Sequence, residues 1–428
     1  MRLTGMRITI TLLVFVYVAA AQNTSSPAGA WLSSFRVFEQ TVYQRLQFEV
    51  VGSKLAGKLE NDSLEGTFEN SRVEGTVNRG QLLPIRFTGT FTGDHITGSF
   101  RFGENDPRTW EAVRQPPPRA PERHTFEPST FYNDFADSIS PVLHLAPGDT
   151  VKTWSVDAGG TDPKGVRRNQ GGNPLTGPFY IDGAFPGDTL VVRFNRIRLN
   201  RDSAISSPLI VNGALAPGYV EQRKPVPGYN SDWKLDLAGG YAMLAKPTET
   251  MKDYKVPLAP MLGCVGVAPG GNQSFRSGYL GGFGGNMDYN QLREGVTVYL
   301  QVNVPGALLY MGDGHATQGA GELTGNALET SMDIEFTVDV QRGGAPGSPR
   351  MENADYLMAS GIAGSLDDAF RQATTNLTRW LETRYKLNAA EVSSVLGTAI
   401  VYDVAEVVDP QVHVVAKVPK SVLAVFPR

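Results

Sequence analysis

The sequence predicts a mainly β protein with a helical subdomain, of the α+β class, in which a β-sandwich or barrel-like domain follows a small antiparallel β-meander. Three observations carry this prediction. Short glycine-centred apolar units recur between residues 30 and 113, turn-then-strand segments recur after residue 123, and helical spacing first appears after Ser365. Separate sheet and helix segments of this kind are typical of α+β domains.

The meander is predicted from a unit that reads apolar, x, Gly, x, apolar. The unit starts at Leu55, Leu64 and Val73, nine residues apart, and again at Phe87 and Ile96. Because side chains alternate between the two faces of a strand, the apolar residues of each unit share one face. A short strand is marginal alone, so several must pair to bury that face. The segment shows no catalytic pattern, and we expect a stabilising appendage.

A proline-rich linker, residues 114–122, is predicted to separate the meander from a second domain, residues 123–428. Prolines favour extended polyproline geometry and cannot continue a sheet. After the linker, Pro-Gly turns at Pro147 and Pro186 each lead into a β-branched strand, and Gly295 begins a third unit of this kind. Such turns preset the chain for strand pairing, which favours a sheet-rich domain.

Helices are predicted only near the C-terminus. Ser365 is followed three residues later by Asp368, and apolar residues then recur at helical spacing as far as Leu381. Asn388 and Glu391 begin a second helix in the same way. A capping residue with an acid three positions later is the usual signature of a helix start.

The first residues, 1–21, have the features of a signal peptide. Arg2 and Arg7 precede an apolar run from Ile8 to Val18, and three alanines follow, so cleavage after Ala21 is predicted. The apolar run is shorter than the ~20 residues that cross a bilayer, so we expect no stable membrane insertion. The sequence therefore predicts a secreted or periplasmic protein.

The composition argues against two classes of protein, those that bind nucleic acid and those held together by disulfide bonds. The net charge of −4 offers no basic surface for a polyanion, so nucleic acid is not an expected partner. The single cysteine, Cys264, cannot form an internal disulfide, and its apolar surroundings are typical of a buried strand, where a thiol behaves as a small apolar side chain. Stability must then come from core burial or a bound metal.

Chemically competent residues are densest between residues 284 and 329. Glycines flank Asp313 and His315, which allows a sharp turn and close approach of a ligand. Both residues can face one site, and His with carboxylates is a sound ligand set for a divalent cation. Spacing alone is equally consistent with two residues that cap a glycine-rich turn. Three more carboxylates flank this pair without a basic neighbour: Asp288, Glu322 and Glu329. No serine-nucleophile elbow or phosphate-binding loop is present.

Residues from about His124 to Val422 resemble the acetamidase/formamidase family, whereas the N-terminal β extension lies outside the resemblance. The matching stretches follow the family's order. They are Pro147-Gly-Asp-Thr150 with Asp157 after its strand, Asn173-Pro-Leu-Thr-Gly-Pro178, Gly187-Asp-Thr-Leu190, Gly263-Cys-Val-Gly-Val-Ala-Pro269, Gly284-Gly-Asn-Met-Asp288, Val304-Pro-Gly-Ala307, Gly312-Asp-Gly-His-Ala316, Asp403 to Asp409 and Val418-Pro-Lys420.

The resemblance implies hydrolysis of small linear amides, such as formamide and acetamide, to carboxylate and ammonia. It also implies a divalent metal, zinc first, with calcium or manganese as alternatives. The residues it assigns to the metal and substrate pocket are Asp157, Asp288, Asp313 and His315. Glu322 is assigned as the acid/base, with His315 as its catalytic companion and a neutral ligand. Gly285 and Asn286 are assigned to substrate binding.

Two departures from the family keep two alternatives open. In the strand before Asp157 the chain reads Trp154-Ser-Val-Asp157, where the family commonly has an acidic or basic residue before the aspartate. The chain reads Gly319-Ala-Gly-Glu322 where the family usually has an acidic residue at the second position. The first alternative is a non-catalytic secreted binding protein on the same fold. The second is an exported hydrolase of larger or cyclic amides, with the segment from Asn200 to Tyr254 shaping its pocket. Homo-oligomerisation is left open.

Overall fold

The computed structural model describes residues 25–224 and 226–427, so the predicted signal peptide lies outside the described residues. The chain divides into two compact units, one of residues 25–33 with 45–117, the other of residues 34–44 with 118–427. Within these described ranges, no helix has the length and apolar character needed to cross a membrane.

Strands β1 to β8 pair in chain order and close into an antiparallel barrel, which confirms the predicted meander and adds its closure. They are β1 (Gly29–Val37), β2 (Gln40–Val51), β3 (Lys54–Leu59), β4 (Asp62–Glu69), β5 (Arg72–Asn78), β6 (Ile85–Phe91), β7 (His95–Phe102) and β8 (Arg108–Arg114). Trp31, Phe48 and Ile96 are buried and fill the barrel's apolar interior. Closure leaves no unpaired sheet edge.

The glycines of the repeated unit have a steric role in this barrel. Gly66 lies directly opposite Gly75 in the neighbouring strand, and Gly89 lies opposite Gly98. A Cβ atom on Gly66 would lie 2.7 Å from the Cα of Gly75. The strands approach each other this closely because neither residue carries a side chain.

The second unit carries the remaining strands and the helices. The strands are β9 (Arg123–Thr125), β10 (Asp134–Ala136), β11 (Leu143–Leu145), β12 (Thr150–Ser155), β13 (Leu175–Ile181), β14 (Thr189–Leu199), β15 (Ser203–Ile205), β16 (Asp232–Asp236), β17 (Tyr241–Leu244), β18 (Val256–Pro257), β19 (Met261–Val267), β20 (Ser274–Arg276), β21 (Leu280–Gly281), β22 (Gly284–Asn286), β23 (Thr297–Gln301), β24 (Leu309–His315), β25 (Met332–Gln341), β26 (Arg350–Glu352), β27 (Tyr356–Ala363), β28 (Val401–Glu406) and β29 (Val412–Pro419). Strands β12, β14 and β23 follow the three predicted turns and confirm them.

Two large sheets stack to form a sandwich. One has nine strands in the order β28-β29-β27-β26-β23-β14-β25-β12-β9, and the other has six in the order β11-β13-β24-β19-β22-β21. Phe179 of β13 meets Phe336 of β25 with ring centroids 5.2 Å apart, so the two sheets share one apolar core. The remaining strands form two smaller sheets, β10-β20 and β15-β16-β17-β18. The sandwich confirms the predicted fold class.

The helices are α1 (Pro217–Gln222), α2 (Leu366–Tyr385), α3 (Ala389–Ala399) and α4 (Lys420–Leu423), with short 3-10 helices at Asn212–Ala214 and Glu249–Met251. The Ser365 hydroxyl accepts a hydrogen bond from the Asp368 amide at 3.2 Å, and Asn388 and Glu391 form a capping box. Both predicted helix starts are therefore confirmed. Helices α2 and α3 cover the outer face of β27 and β29.

Candidate functional site

Strand β24 and its neighbours bring the predicted site residues together. Asp313 and His315 lie at the end of β24, and Asp288 follows β22 in the same sheet by two residues. Glu329 forms a β-bridge with His315, which holds a second acid beside the imidazole. All of these side chains are buried. The site is thus centred on the end of β24, an inner strand of the six-stranded sheet.

Gly263 leaves the space in which two of these carboxylates meet. It lies in β19, next to β24, and its carbonyl oxygen accepts hydrogen bonds from the Met287 and Asp288 amides. A Cβ atom at this position would overlap Oδ1 of Asp288 and Oδ2 of Asp313. Glycine is therefore required here by close approach of charged groups, which explains part of the glycine-rich sequence around the site.

Two groups of ligand atoms share the His315 ring. Asp313, His315 and Glu329 form one group and Asp288, His315 and Glu322 form the other, each with its ligand atoms within 4.8 Å of one another. Nε2 of His315 lies 3.2 Å from Oε2 of Glu329 and 3.4 Å from Oδ1 of Asp313, whereas Nδ1 lies 3.8 Å from Oδ1 of Asp288. The imidazole therefore has carboxylates on both sides.

Gln318 determines the tautomer of that ring. Its side-chain nitrogen donates to the carbonyl oxygens of Asp288 and Ala405, so its Oε1 must face Nδ1 of His315, 2.9 Å away. An amide oxygen only accepts, so Nδ1 carries the hydrogen. In the neutral ring the lone pair is then on Nε2, which faces Asp313 and Glu329.

The buried polar atoms of this cluster fit a divalent cation. Both carboxylate oxygens of Asp288, Oδ1 of Asp313, Nε2 of His315 and Oε2 of Glu329 make no hydrogen bond in the described structure. Burying unpaired charges is costly unless a counter-charge compensates them. Carboxylate oxygens with one imidazole nitrogen are suitable ligands for zinc or manganese.

Electrostatics support the same interpretation. Burial, reinforced by the charges of neighbouring carboxylates, raises the pKa of Asp288 well above its ordinary value. Burial also raises the pKa of Glu322, where the charge of His315 acts in the opposite direction. Burial lowers the pKa of His315, but the charges of Glu329 and Asp313 outweigh it and raise that pKa well above its ordinary value. Excess negative charge thus attracts a proton or a cation to the cluster.

Three of the site acids adopt backbone conformations that side-chain-bearing residues rarely populate. The φ angles are +37° at Asp288, +57° at Asp313 and +45° at Glu322. Left-handed backbone at a residue other than glycine carries strain that the surrounding structure must hold. Such strain concentrates where side chains have to be aimed at a ligand, which agrees with the convergence of these three carboxylates.

Asn286 and Gly285, predicted to bind substrate, are buried beside the cluster. The amide of Asn286 donates to Asp409 at 2.8 Å and its Oδ1 lies 2.8 Å from the thiol of Cys264. Asn173 donates to both Asn286 and Asp313. Gly285 is paired within the sheet on both of its sides. The side chain of Asn286 thus orients neighbouring groups, and substrate contact for this pair stays a prediction.

Asp157, predicted as a metal ligand, has a different environment. Its Oδ2 lies 2.6 Å from Nη2 of Arg201, and its Oδ1 accepts from the Thr161 amide at 2.8 Å. Both charged side chains are largely buried. Among the described residues, Asp157 belongs to neither group of converging ligand atoms. Its charge is compensated by Arg201, so its assignment as a ligand stays a prediction without geometric support.

Three residues near the cluster were given no role from sequence. Gln318 lies within the glycine-rich stretch, but only its contacts reveal its part in orienting His315. Glu406 ends β28 and Asp409 follows it by three residues, inside a stretch that carried the family resemblance. Burial is the main cause that raises the pKa of Glu406 to about 8 and that of Asp409 to about 7. These residues lie near the cluster because segments that are distant in sequence pair in the fold. The sequence alone does not show that pairing.

A cavity of about 530 Å³ adjoins the cluster. Glu322 and Gln318 form part of its wall, and the rest comes from residues 206–256 and 317–328. Glu322 therefore has one side toward Asp288 and His315 and another toward a space that can hold a small molecule. A cation site beside a cavity with an acid between them is suited to hydrolysis of a carbonyl compound.

Comparison with known proteins agrees with this site. Residues 282–425 match the Acetamidase/Formamidase family, a range that contains every acid of the cluster. The formamidase of Methylophilus methylotrophus is 30% identical over 139 residues, which cover 27% of this chain and 33% of that enzyme. The matched region thus spans about a third of the length of that curated relative.

Solved structures extend the similarity to the whole sandwich. A predicted acetamidase/formamidase from Thermoanaerobacter tengcongensis has a TM-score of 0.61 and 24% identity, over 72% of this chain and 99% of that one. The acetamidase of Yersinia enterocolitica has a TM-score of 0.61 and 27% identity, over 71% of this chain and 94% of that one. The predicted resemblance to this family is confirmed.

Proposed function

We propose that this chain, whose residues 282–425 match the acetamidase/formamidase family, is a cation-dependent hydrolase of linear amides that releases a carboxylate and ammonia. One observation carries the proposal. Glu322 is both a member of the buried cluster with Asp288 and His315 and part of the cavity wall. A substrate in the cavity would therefore meet an acid that neighbours His315, one of the residues that would hold the cation. The similarity to a formamidase and an acetamidase supplies the reaction class.

Asp313, His315 and Glu329 are the residues that would hold the cation, because the lone pair of His315 faces these two acids. Asp288 lies on the other side of the ring and reinforces the negative charge. Zinc is the first choice for this ligand set, and manganese or calcium are the alternatives. When bound, such a cation supplies a positive charge that polarises a carbonyl and acidifies water.

The protein's own groups have to move the protons. Amides resist hydrolysis because resonance stabilises the carbonyl and because the nitrogen leaves only after it is protonated. Glu322 would accept a proton from the attacking water and later donate one to the departing nitrogen. Burial raises the pKa of Glu322, which favours the protonated form that donates to the departing nitrogen. Water adds to the carbonyl carbon, the C–N bond breaks, and carboxylate and ammonia are formed.

The proposal is tested by ammonia release from formamide, acetamide and propionamide. The protein is assayed as purified, after chelation, and after addition of zinc, manganese or calcium, while metal content is measured by mass spectrometry. We expect release to stop on chelation and to return with one metal in a fixed ratio to protein. Folded protein that binds metal but releases no ammonia from any amide would favour a binding protein on this fold.

We also propose export, which rests only on the signal-peptide features of residues 1–21. Expression of the full chain in a bacterium should place the protein outside the cytoplasm with Gln22 as its first residue. N-terminal sequencing of the fractionated protein checks this, and an uncleaved cytoplasmic product would contradict it.

A further inference from the structure

We infer that the preferred substrate is an uncharged primary amide of an apolar carboxylic acid, with an aromatic or branched acyl group that fills the cavity beside Glu322. The inference rests on the proposed function and names its substrate class. The volume of the cavity is the first observation that supports it. Ligand cavities commonly hold ~300–1,000 Å³, and this one measures about 530 Å³. Formamide or acetamide would leave most of that space to water.

The chemistry of the wall indicates an apolar occupant. Leu209, Tyr254 and Leu323 are 38%, 47% and 43% exposed, and all three line this one cavity. Large apolar side chains gathered at one open site commonly mark a place where an apolar partner binds. Glu322 is the only described lining residue with a carboxylate or a basic side chain. An anionic acyl group would find no counter-charge there, and a cationic one would pair with Glu322, which the proposed proton transfers need free, so the substrate should be uncharged.

The aromatic part of the wall is fixed in place. Nε1 of Trp233 donates to the Ser206 hydroxyl at 3.0 Å, and the Trp233 ring meets Tyr254 edge-on at 6.3 Å between centroids. Leu244 lies opposite Trp233 in the neighbouring strand and also lines the cavity. Rigid aromatic side chains give a large contact area at a low entropic cost. They suit a flat or branched acyl group.

The wall is also anchored directly to the candidate site. Strand β15 is joined to Glu329 by two backbone hydrogen bonds with Ile205, of 2.8 and 3.2 Å. Ala316 and Leu328, next to His315 and Glu329 in the chain, pack against the sheet β15-β16-β17-β18. The apolar wall and the cation-binding acids are therefore parts of one packed structure, so a group held in the cavity keeps its amide near Glu322.

The acyl side is the part of the substrate that must occupy the cavity. The proposed reaction releases ammonia, so the amide nitrogen carries no substituent and the apolar group can belong only to the acid. The first test compares kcat/KM for acetamide, isovaleramide and phenylacetamide with the metal-loaded protein. We expect values at least about tenfold higher for the two larger amides, because each buried methylene adds substantial binding in an apolar pocket. Equal or higher efficiency with acetamide would overturn the inference.

A matched pair of variants locates the effect. Leu209→Ser places a hydroxyl on the cavity wall, whereas Leu237→Ser makes the same change at a residue that is 49% exposed and does not line the cavity. L209S should lower kcat/KM for phenylacetamide about tenfold, a larger loss than it causes for acetamide. L237S should change neither. An equal loss for all amides would overturn the inference. A change of oligomeric state in light scattering would show that another copy covers the cavity and would overturn it as well.

Binding separates this inference from the proposed function. Titration of the protein with phenylacetamide, followed by calorimetry, should show binding that L209S weakens and L237S does not. If no amide is hydrolysed but this pattern holds, the hydrolase proposal fails and the apolar substrate class stands. If acetamide is hydrolysed but phenylacetamide does not bind, the hydrolase proposal stands and the inference fails.

Discussion

Gln318 accepts a hydrogen bond from Nδ1 of His315 over 2.9 Å, and the side-chain nitrogen of the same glutamine is held by the carbonyl oxygens of Asp288 and Ala405. This contact directs the lone pair of the imidazole toward Asp313 and Glu329. Gln318, which belongs to neither group of converging acids, thus selects which of the two groups faces the lone pair of His315.

Gln318→Ala should weaken cation binding by about 10–100-fold, because outer partners that orient a ligating histidine typically contribute that much. The loss of the acceptor leaves Nδ1 unsatisfied and allows the ring to rotate or change tautomer. Zinc affinity measured against a competing chelator checks the prediction. Gln170→Ala, at an exposed position, is the control and should keep full affinity. Unchanged affinity in Q318A would contradict the role given to this contact.

Gly263→Ala should abolish cation binding in a protein that still folds. The added methyl group overlaps carboxylate oxygens of Asp288 and Asp313, so the two acids can no longer converge. Gly364→Ala is a matched control, because a Cβ there meets nothing within 4 Å. Metal content after equilibration with zinc distinguishes the two variants. Full zinc loading of G263A would mean that the ligands do not include these acids.

Asp157→Asn should leave the metal content unchanged but lower the free energy of unfolding by about 3 kcal/mol, because it leaves Arg201 without its buried partner. The two side chains are 4% and 11% exposed. Asp134→Asn breaks a more exposed pair with Arg276 and should cost less than about 1 kcal/mol. Urea unfolding and zinc analysis provide both readouts. Loss of zinc in D157N would restore Asp157 as a ligand.

Local patterns predicted the fold because its signals lie within short stretches of sequence. The alternation of apolar and polar residues predicted the strands of the meander, and the Pro-Gly turns predicted β12 and β14. The capping residues Ser365 and Asn388 predicted the starts of the two long helices. The sandwich depends on strand order, as in the contact between Phe179 and Phe336, which no local pattern displays. The fold class could be predicted from the sequence, whereas the order and register of the strands could not.

The same distinction applies to the site. Asp288, Asp313, His315 and Glu322 were found because glycine-rich motifs surround them within one stretch. Asp157 looked equivalent by motif, but its partner Arg201 lies 44 residues away and only the folded chain reveals the pair. Glu406 and Asp409 were named only as part of a matching stretch, since it takes the folded chain to place Asp409 next to Asn286. The sequence thus identified the acids, and the fold decides which of them converge on His315.

Glu406→Gln should stabilise the metal-free protein at alkaline pH. Burial, aided by the charge of Asp409, raises the pKa of Glu406 to about 8 in the folded state. Because the pKa is higher in the folded state than in the unfolded state, the folded state keeps the proton to higher pH. The free energy of unfolding therefore falls as pH rises from about 4.5 to about 8. The variant removes this fall and should be more stable than the unchanged chain at pH 9, by up to about 5 kcal/mol for a pKa that rises from 4.5 to about 8. Urea unfolding at pH 5 and pH 9 checks it, with the exposed Glu221→Gln as control. An equally steep fall in E406Q would contradict the assignment.

Glu322→Gln tests the proton transfers apart from the cation. Glutamine keeps the size and the hydrogen-bonding oxygen of the acid but cannot accept the proton of water, so kcat should fall by about 10²–10⁴-fold. The cation should remain, because Asp313, His315 and Glu329 hold it without Glu322 in this scheme. The exposed Glu249→Gln is the control and should keep full activity. A raised KM with normal kcat would instead make Glu322 a binding residue, and loss of zinc would make it a ligand. Either result would move the proton transfer to another group, and Asp288, whose carboxylate oxygens make no hydrogen bond in the described structure, would be the first to examine.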